Sequence, residues 1–498
     1  MDLTEYAYSN GIIATKALSK DEQKHLGQFM TPVQVARFMA NRCLNNINLQ
    51  NIRILDPAAG TGTLIAAIVE ELLNDEHVPK SIKIIIYEID ARLIPFLKKL
   101  ANMMRRKALE YNVSLTVSIN NCDFLLSPIS LSDKPIADVI IANLPYFKIN
   151  KTDPRSLAHP EAVYGQPNIY GLFMSACASI LSKEGRWCFI TPRSWTNGMY
   201  FGAVRKQLFE YLSIEAIHLF ESRKSHFIDD KILQEAMITW AKLKTESKTD
   251  ILISRSIGSN DLDKIQTNKV SLREVISQDS VHEISIPGNN SGNTICNWEN
   301  TLISNNLNVS TGPVIGYRSV KYLRQKKSKN TVPLIWMNNI DSMSISWPIK
   351  RKSEYIIYNK ETSWMLVPNK NLVLLRRFSP NESDQRIVAV PYLANTLPGE
   401  VIGLENHLNY IYRPNGEMTI EEVKGLAAYL NSYVIDQYIR TKSGNTQINA
   451  NDLLKMPMPP INLLVELGRN ININATLDLL NCIVERILGI EIKEAIAV

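Results

Sequence analysis

Residues 143–146, Asn-Leu-Pro-Tyr, close the apolar run "ADVIIA" and have the right types for work on an aromatic amine. Such an amine is a poor nucleophile because its lone pair is delocalised into the ring. Two acceptors on its two hydrogens, the Asn143 side-chain oxygen and the Leu144 backbone carbonyl, would pull the nitrogen toward tetrahedral geometry. The lone pair would then face an electrophilic carbon. The second acceptor is main chain, so leucine supplies it as well as proline would. A proline ring at 144 would add a fixed φ, worth roughly 0.4–1 kcal/mol of chain entropy. Pro145 still stiffens the turn, and Tyr146 offers a face on which a base can stack. Taken alone, the tetrapeptide reads equally well as a strand ending in a proline turn.

Upstream, "ILDPAAGTGTLIAAIVEELL" (54–73) is a strand, a turn of small residues and a helix, in which Gly60 and Gly62 permit a tight turn and close backbone approach. It is neither Gly-x-Gly-x-x-Gly nor a phosphate loop ending in Lys-Ser/Thr. "IKIIIYEID" places Glu88 at the end of the next strand, where a carboxylate can accept from both hydroxyls of a ribose. "INNCDFL" sets Asp123 and Phe124 after the third, the acid suited to an adenine amino group and the ring to its face. Acidic strand ends in succession (Asp56, Glu88, Asp123) point to a ligand site along the carboxyl edge of a sheet. Before them, "GQFMTPVQVARFMANRC" (27–43) predicts a helix with Thr31 as N-cap, Pro32 at N1 and Gln34 at N3, and Val35, Phe38, Met39 and Cys43 on one apolar face. The helix start would serve as a cap alone or present N–H groups to a carboxylate.

The elements that must position these residues follow from periodicity. "IRILDP", "IKIIIYE", "SLTVSIN", "ADVIIAN", "RWCFITP", "IEAIHLF" and "EAMITWAKL" are short apolar runs separated by helical stretches. That pattern predicts a doubly wound, mostly parallel α/β sheet over residues 1–245. The alternation is expected to fail after the polar stretch "KTESKTD" (244–250), leaving 246–498 as a mixed α+β domain with a helical end from about 461. With 498 residues, 45% hydrophobic and 21% charged, the chain has the composition of an ordinary soluble protein with two or three cores. No stretch approaches a membrane span and the start lacks a signal-peptide pattern, so a cytoplasmic location is expected. The six cysteines are scattered without ligand spacing, which predicts buried free thiols and no metal site. A net charge of +6 suits a polyanionic partner without demanding one.

The series "GQFMTP", "DPAAGTG", "YEID", "NCDF" and "NLPY", in that order, resembles the restriction–modification adenine-N6 DNA methyltransferases with the γ order of motifs. The resemblance implies a class I S-adenosylmethionine-dependent methyltransferase domain followed by a target-recognition domain. It also implies transfer to N6 of an adenine flipped out of double-stranded DNA. Carried over by position, it places Thr31 by the methionine carboxylate of S-adenosyl-L-methionine, and Asp56, Ala58, Gly60 and Gly62 around the methionine part. Glu88 would meet the ribose, and Asp123 and Phe124 the adenine. Asn143, Leu144, Pro145 and Tyr146 would handle the target base, with Phe227 in "KSHFIDDK" covering its other face. "VSTGPVIGYR", "RRFSPNESDQRIVAVPYL" and "RTKSGNTQINANDLLKMPMPP" resemble the recognition half of the PstI- and BsuBI-type enzymes, which would make CTGCAG the target. Arg318, Lys321, Arg324, Arg376 and Arg377 suit phosphate contacts, as would any solvated basic face, and Gln447 and Asn449 have the side chains that read adenine edges. Only 26 residues precede the first motif, so recognition and catalysis are expected in one chain, with no obligate protein subunit and any cognate restriction endonuclease acting separately. The alternatives are cytosine-N4 methylation, against which Asn rather than Ser at 143 argues, a protein or RNA methyltransferase, and a catalytically silent DNA-binding subunit.

Overall fold

The computed structural model describes residues 2–16, 30–45, 47–220, 236–244, 250–277, 282–286, 298–350, 353–379, 383–442, 447–472 and 475–489. Contacts divide the chain into two units, Met1–Ile286 and Pro287–Val498.

The first unit begins with helices α1 (Leu3–Lys16) and α2 (Val33–Leu44). It then runs β1 (Asn51–Asp56), α3 (Thr63–Asn74), β2 (Ser81–Tyr87), α4 (Ile94–Glu110), β3 (Ser114–Asn120) and β4 (Ala137–Asn143). Next come a short α5 (Pro154–Ala158), α6 (Ile169–Ser179), β5 (Leu181–Pro192), α7 (Gly202–Tyr211), β6 (Leu212–Phe220) and β7 (Ala236–Leu243). The strands form one sheet in the order β3-β2-β1-β4-β5-β7-β6, continued by β8 (Asp250–Ser256) and β9 (Thr267–Ser271). From β3 to β5 every pair is parallel, while β7 lies antiparallel between β5 and β6.

The strands read as nearly continuous apolar runs because both faces are covered. Ile52, Ile54, Ile84, Ile86, Val139 and Ile141 point into a core with α1 to α4. Their neighbours Leu55, Ile85, Ile140 and Ala142 point the other way, against α6 and α7. The expected alternation therefore holds through β7, but it does not stop at 245. Strand β8 pairs in parallel with β6 and β9 closes the edge antiparallel, burying Ile251 and Ile253 on one face, so the first unit runs on to 286.

The second unit carries a four-stranded antiparallel sheet in the order 308–311, 408–412, 372–376, 389–392, and a five-stranded sheet built around 331–335 and 401–404. A two-stranded hairpin pairs 340–341 with 344–345, and among the described residues of this unit the α-helices start at Ile420, earlier than the 461 expected from the sequence. Thr419 and Glu422 form a capping box there, each bonding the other's backbone N–H. Helices Ile420–Asn431 and Ile461–Asn470 cross at a pair of glycines: a Cβ on Gly425 would fall 1.8 Å from the Leu464 carbonyl oxygen, and one on Gly468 would fall 1.9 Å from that of Glu421. Among the described residues, no helix is long and apolar enough to cross a membrane.

Candidate active site

Strand order aligns the residues singled out by chemistry. Because β3, β2, β1 and β4 are neighbours and parallel, their carboxyl ends set Asp123, Glu88, Asp56 and Asn143 in a row along one edge. All four line a single cleft of about 200 Å³, together with Thr31, Ala58, Gly60, Phe124 and Pro145.

The floor is the turn after β1. Gly60 and Gly62 both take positive φ (58° and 87°), which side-chain-bearing residues rarely adopt, and Gly62 caps α3. The Ala58 N–H donates to Asp56 Oδ1 at 3.1 Å, and the Gly60 N–H donates to Glu88 Oε2 at 2.7 Å. Glu88 Oε1 accepts from the Asp90 N–H at 2.8 Å. Burial pushes the Asp56 carboxyl up to about 8, against its bond from Ala58, and nearby Glu88 adds to the rise. Burial likewise lifts Glu88 to about 7 despite the N–H groups of Asp90 and Gly60. Two acids held above their ordinary range in one cleft favour a ligand that brings positive charge and hydroxyl donors.

At the adjoining end, Asp123 Oδ1 accepts from the Leu125 N–H at 2.9 Å, and desolvation raises its pKa. Arg155, which grips Asp153 through two bonds of 2.8 and 2.7 Å, opposes that rise with a guanidinium nitrogen 3.8 Å from Asp123 Oδ2. Phe124 is buried, stacked on Phe173 with centroids 5.7 Å apart and set edge-on to Tyr87. Met30, Phe147, Arg155 and Phe173 line the cleft without having been singled out beforehand. Phe147 and Arg155 follow the tetrapeptide directly, in a stretch that also carries Lys148, Lys151 and His159. Phe173 lies in an evenly buried helix, which carries no such signal.

At the tetrapeptide, Tyr146 donates from its hydroxyl to Asn143 Oδ1 at 2.6 Å and lies 3.2 Å from the Ile190 carbonyl, a contact prepared by the β4–β5 register that pairs Asn143 with Ile190. Burial raises the Tyr146 phenol, so it stays a neutral donor. Asn143 Nδ2 donates to Thr31 Oγ1 at 3.1 Å. The capping box expected at Thr31 does not form: α2 starts at Val33, Pro32 takes the N-cap position and no side chain caps it, because the Thr31 hydroxyl is turned to Asn143. Leu144 is 1% exposed and packed in the core beside α6. Its carbonyl accepts no hydrogen bond from the described residues. A buried carbonyl without a donor is costly, and such groups are kept where a ligand supplies the donor.

The turn is thus fixed by an anchored side chain rather than by a ring. Leu144→Pro should therefore lower stability by about 1–3 kcal/mol through lost packing, while the activity that the resemblance implies persists. Thermal melts with initial rates check this, and an inactive variant of unchanged stability would contradict it.

Phe227 lies outside the described residues, as does Cys296. Cys43, Cys177 and Cys188 are buried, but Cys122 and Cys482 are exposed, contrary to the expectation of buried thiols throughout. In the second unit, Arg318, Lys321 and Arg324 are exposed on one segment with Tyr317, which is 75% exposed. Arg376 is tied to the Ile340 carbonyl and Asp341, and Arg377 bonds Gln447 Oε1 at 3.4 Å. Asn449 is the N-cap of helix Ala450–Leu454.

A row of strand-end carboxylates and a side-chain amide, on a sheet of order 3-2-1-4-5-7-6 with one antiparallel strand, defines a class I methyltransferase. The profile of the N-6 DNA Methylase family matches residues 12–281. The type II methyltransferase M.BsuBI of Bacillus subtilis is 33% identical over 462 residues, with 90% of each chain covered. M.PstI of Providencia stuartii, also a type II methyltransferase, is 30% identical over 478 residues, with 92% of each covered. The chain belongs to the N-6 DNA methylase family and is an adenine-specific DNA methyltransferase of the type II restriction–modification kind.

Proposed function

We propose that the chain transfers a methyl group from S-adenosyl-L-methionine to N6 of an adenine flipped out of double-stranded DNA, at a short recognition sequence. The observation that carries this is the Asn143 amide in the same cleft as the acids at the ends of β1 to β3, with the adjoining Leu144 carbonyl accepting no hydrogen bond from the described residues. The cleft's chemistry fits the cofactor: raised Asp56 and Glu88 suit a cationic amino acid and a ribose, and apolar Ile89 and Phe147 beside Asp123 suit an adenine. Thr31, Asp56, Ala58, Gly60, Gly62, Glu88, Asp123 and Phe124 would hold it. When bound, it supplies a methyl group made electrophilic by a sulfonium.

The protein's part is orientation. An amide oxygen has two lone pairs, so Asn143 Oδ1 can accept from the target amine while keeping Tyr146, and the Leu144 carbonyl takes the second hydrogen. Both acceptors are set before the reaction, so little reorganisation is needed as the nitrogen becomes tetrahedral. Pro145 stiffens the turn, and Tyr146 and Phe227 would bracket the base. Sequence reading falls to the second unit, where the exposed Arg318, Lys321 and Arg324 would meet phosphates, and Arg376, Arg377, Gln447 and Asn449 would act from positions already fixed by internal bonds. The enzyme would work in the cytoplasm without an obligate subunit, beside a separate endonuclease.

Mapping modified bases in DNA treated with the enzyme and S-adenosyl-L-methionine tests the assignment, with CTGCAG the first sequence to inspect. N6-methyladenine at one short motif is expected; N4-methylcytosine, or no modification by folded enzyme, overturns it.

A pH dependence follows. Asp56 titrates near 3.8 unfolded and about 8 folded, and Glu88 near 4.5 and about 7, so between those values the folded chain holds protons that the unfolded chain has released. Their contribution to stability is therefore greatest below about pH 4 and declines as pH rises toward 8. A bound cation favours the ionised acids, so cofactor affinity should rise from pH 6 to 8, and Asp56→Asn should flatten the rise. Calorimetric titration across that range checks it, and a pH-independent affinity in the unmutated enzyme contradicts it.

A further inference from the structure

We propose that Arg155 is a specificity-determining residue of the cofactor site: beside Asp123, which takes a hydrogen of the adenine's 6-amino group, Arg155 donates to the ring nitrogen next to that group. This rests on the functional reading above and goes beyond it, because a residue outside the row of strand ends then helps to choose which base the cofactor carries.

Asp123 by itself discriminates little. A carboxylate can only accept, so it satisfies the amine of any ring that bears one and leaves the neighbouring ring nitrogen, itself an acceptor, without a donor. Reading that nitrogen takes an N–H group at the acid's side.

Arg155 brings one there on an anchored side chain. Asp153, the N-cap of α5, accepts three bonds from Arg155: one from its backbone N–H at 3.0 Å and two from the guanidinium, from Nε at 2.8 Å and from Nη2 at 2.7 Å. The group also lies over the Phe147 ring, 5.7 Å from its centroid. Its remaining nitrogen, Nη1, is 3.8 Å from Asp123 Oδ2, near enough for an ion pair and too far for a hydrogen bond. Closing that gap by swinging the fork would break two charge-assisted bonds to Asp153.

The gap therefore leaves both atoms open to a ligand. Asp123 meets the Leu125 N–H through Oδ1, so Oδ2 receives no hydrogen bond from the described residues, and Nη1 finds no acceptor among them. Both residues line the cleft, together with Phe124 and Phe173. A held acceptor and a held donor side by side match a ring edge that presents an amine and a nitrogen acceptor in the same order. The cation also supports the acid. Desolvation lifts the Asp123 pKa and the charge of Arg155 opposes the rise, which favours the ionised, accepting form.

Adenine has such a nitrogen on either side of its amine, N1 and N7. Replacing one of them by C–H removes the acceptor and keeps the amine and the outline of the ring. Calorimetric titration of the unmutated enzyme and of Arg155→Met with S-adenosyl-L-homocysteine, and with its 1-deaza and 7-deaza analogues, tests the assignment without turnover. The unmutated enzyme is expected to bind one of the two analogues roughly tenfold or more weakly than the parent. Arg155→Met should weaken the parent and shrink that penalty to less than about twofold, because ring nitrogen and guanidinium are two ends of one bond. Penalties that are the same in both proteins, for both analogues, overturn the proposal and leave Arg155 as a charge beside Asp123. Should Arg155→Met fail to fold, near-equal binding of all three ligands by the unmutated enzyme overturns it as well. Failure of the folded, unmutated enzyme to bind S-adenosyl-L-homocysteine at all would instead remove the functional reading on which this rests.

Discussion

Asn143→Ala is expected to slow methyl transfer by roughly 10²–10³-fold while leaving cofactor affinity nearly unchanged. The substitution would remove one of the two acceptors proposed for the target amine and would spare the strand-end acids, which sit on other strands. It also strips Tyr146 and Thr31 of a shared partner, while the Tyr146 hydroxyl keeps the Ile190 carbonyl. Single-turnover methylation with calorimetric cofactor binding separates the two effects. Retention of more than a tenth of the rate would mean that the amide is not the acceptor that matters. Equal loss of rate and cofactor affinity would mean that Asn143 serves the cofactor rather than the base.

The largest effect on stability is expected in the second unit, at the crossing of helices Ile420–Asn431 and Ile461–Asn470. An alanine at Gly425 or Gly468 would set its methyl carbon 1.8 or 1.9 Å from a backbone carbonyl oxygen of the opposite helix, less than any non-bonded contact allows. Neither oxygen is the tip of a side chain that can swing aside, so the helices themselves must part. Leu464 and Leu467, fully buried there, would lose contacts with them. Either substitution should cost about 3 kcal/mol or more, read as a lower urea midpoint. A midpoint equal to that of the unmutated protein would show that the helices can separate cheaply.

The sheet and its carboxyl edge were legible in the sequence because strands buried on both faces are written as Ile- and Val-rich runs, and because acids and glycines at their ends are conspicuous. Asp56, Glu88, Asp123 and Asn143 duly share one cleft. What was not legible depended on contacts far apart in the chain. Thr31 has the local signature of a helix cap, and nothing nearby reveals that an amide 112 residues on takes its hydroxyl instead. Leu144 looks like a missing proline in the sequence, whereas its role in the turn comes from the core it enters. Strands β8 and β9 were missed because β8 holds only three apolar residues, Ile251 to Ile253, between polar ones, and β9 holds a single valine. In the second unit short strands, some of two or three residues, carry too little periodicity to be read at all.

The row formed by Asp123, Glu88, Asp56 and Asn143 has a metric consequence. Neighbouring strands in any sheet lie about 4.8 Å apart, so three steps from β3 to β4 span roughly 14 Å. The sheet is a ruler whose graduations are backbone hydrogen bonds. The distance between the end proposed for an adenine and the end proposed for methyl transfer would be set by strand count and not by any side chain. Substitutions along the row can change how strongly a ligand is held, but they leave the reach itself untouched.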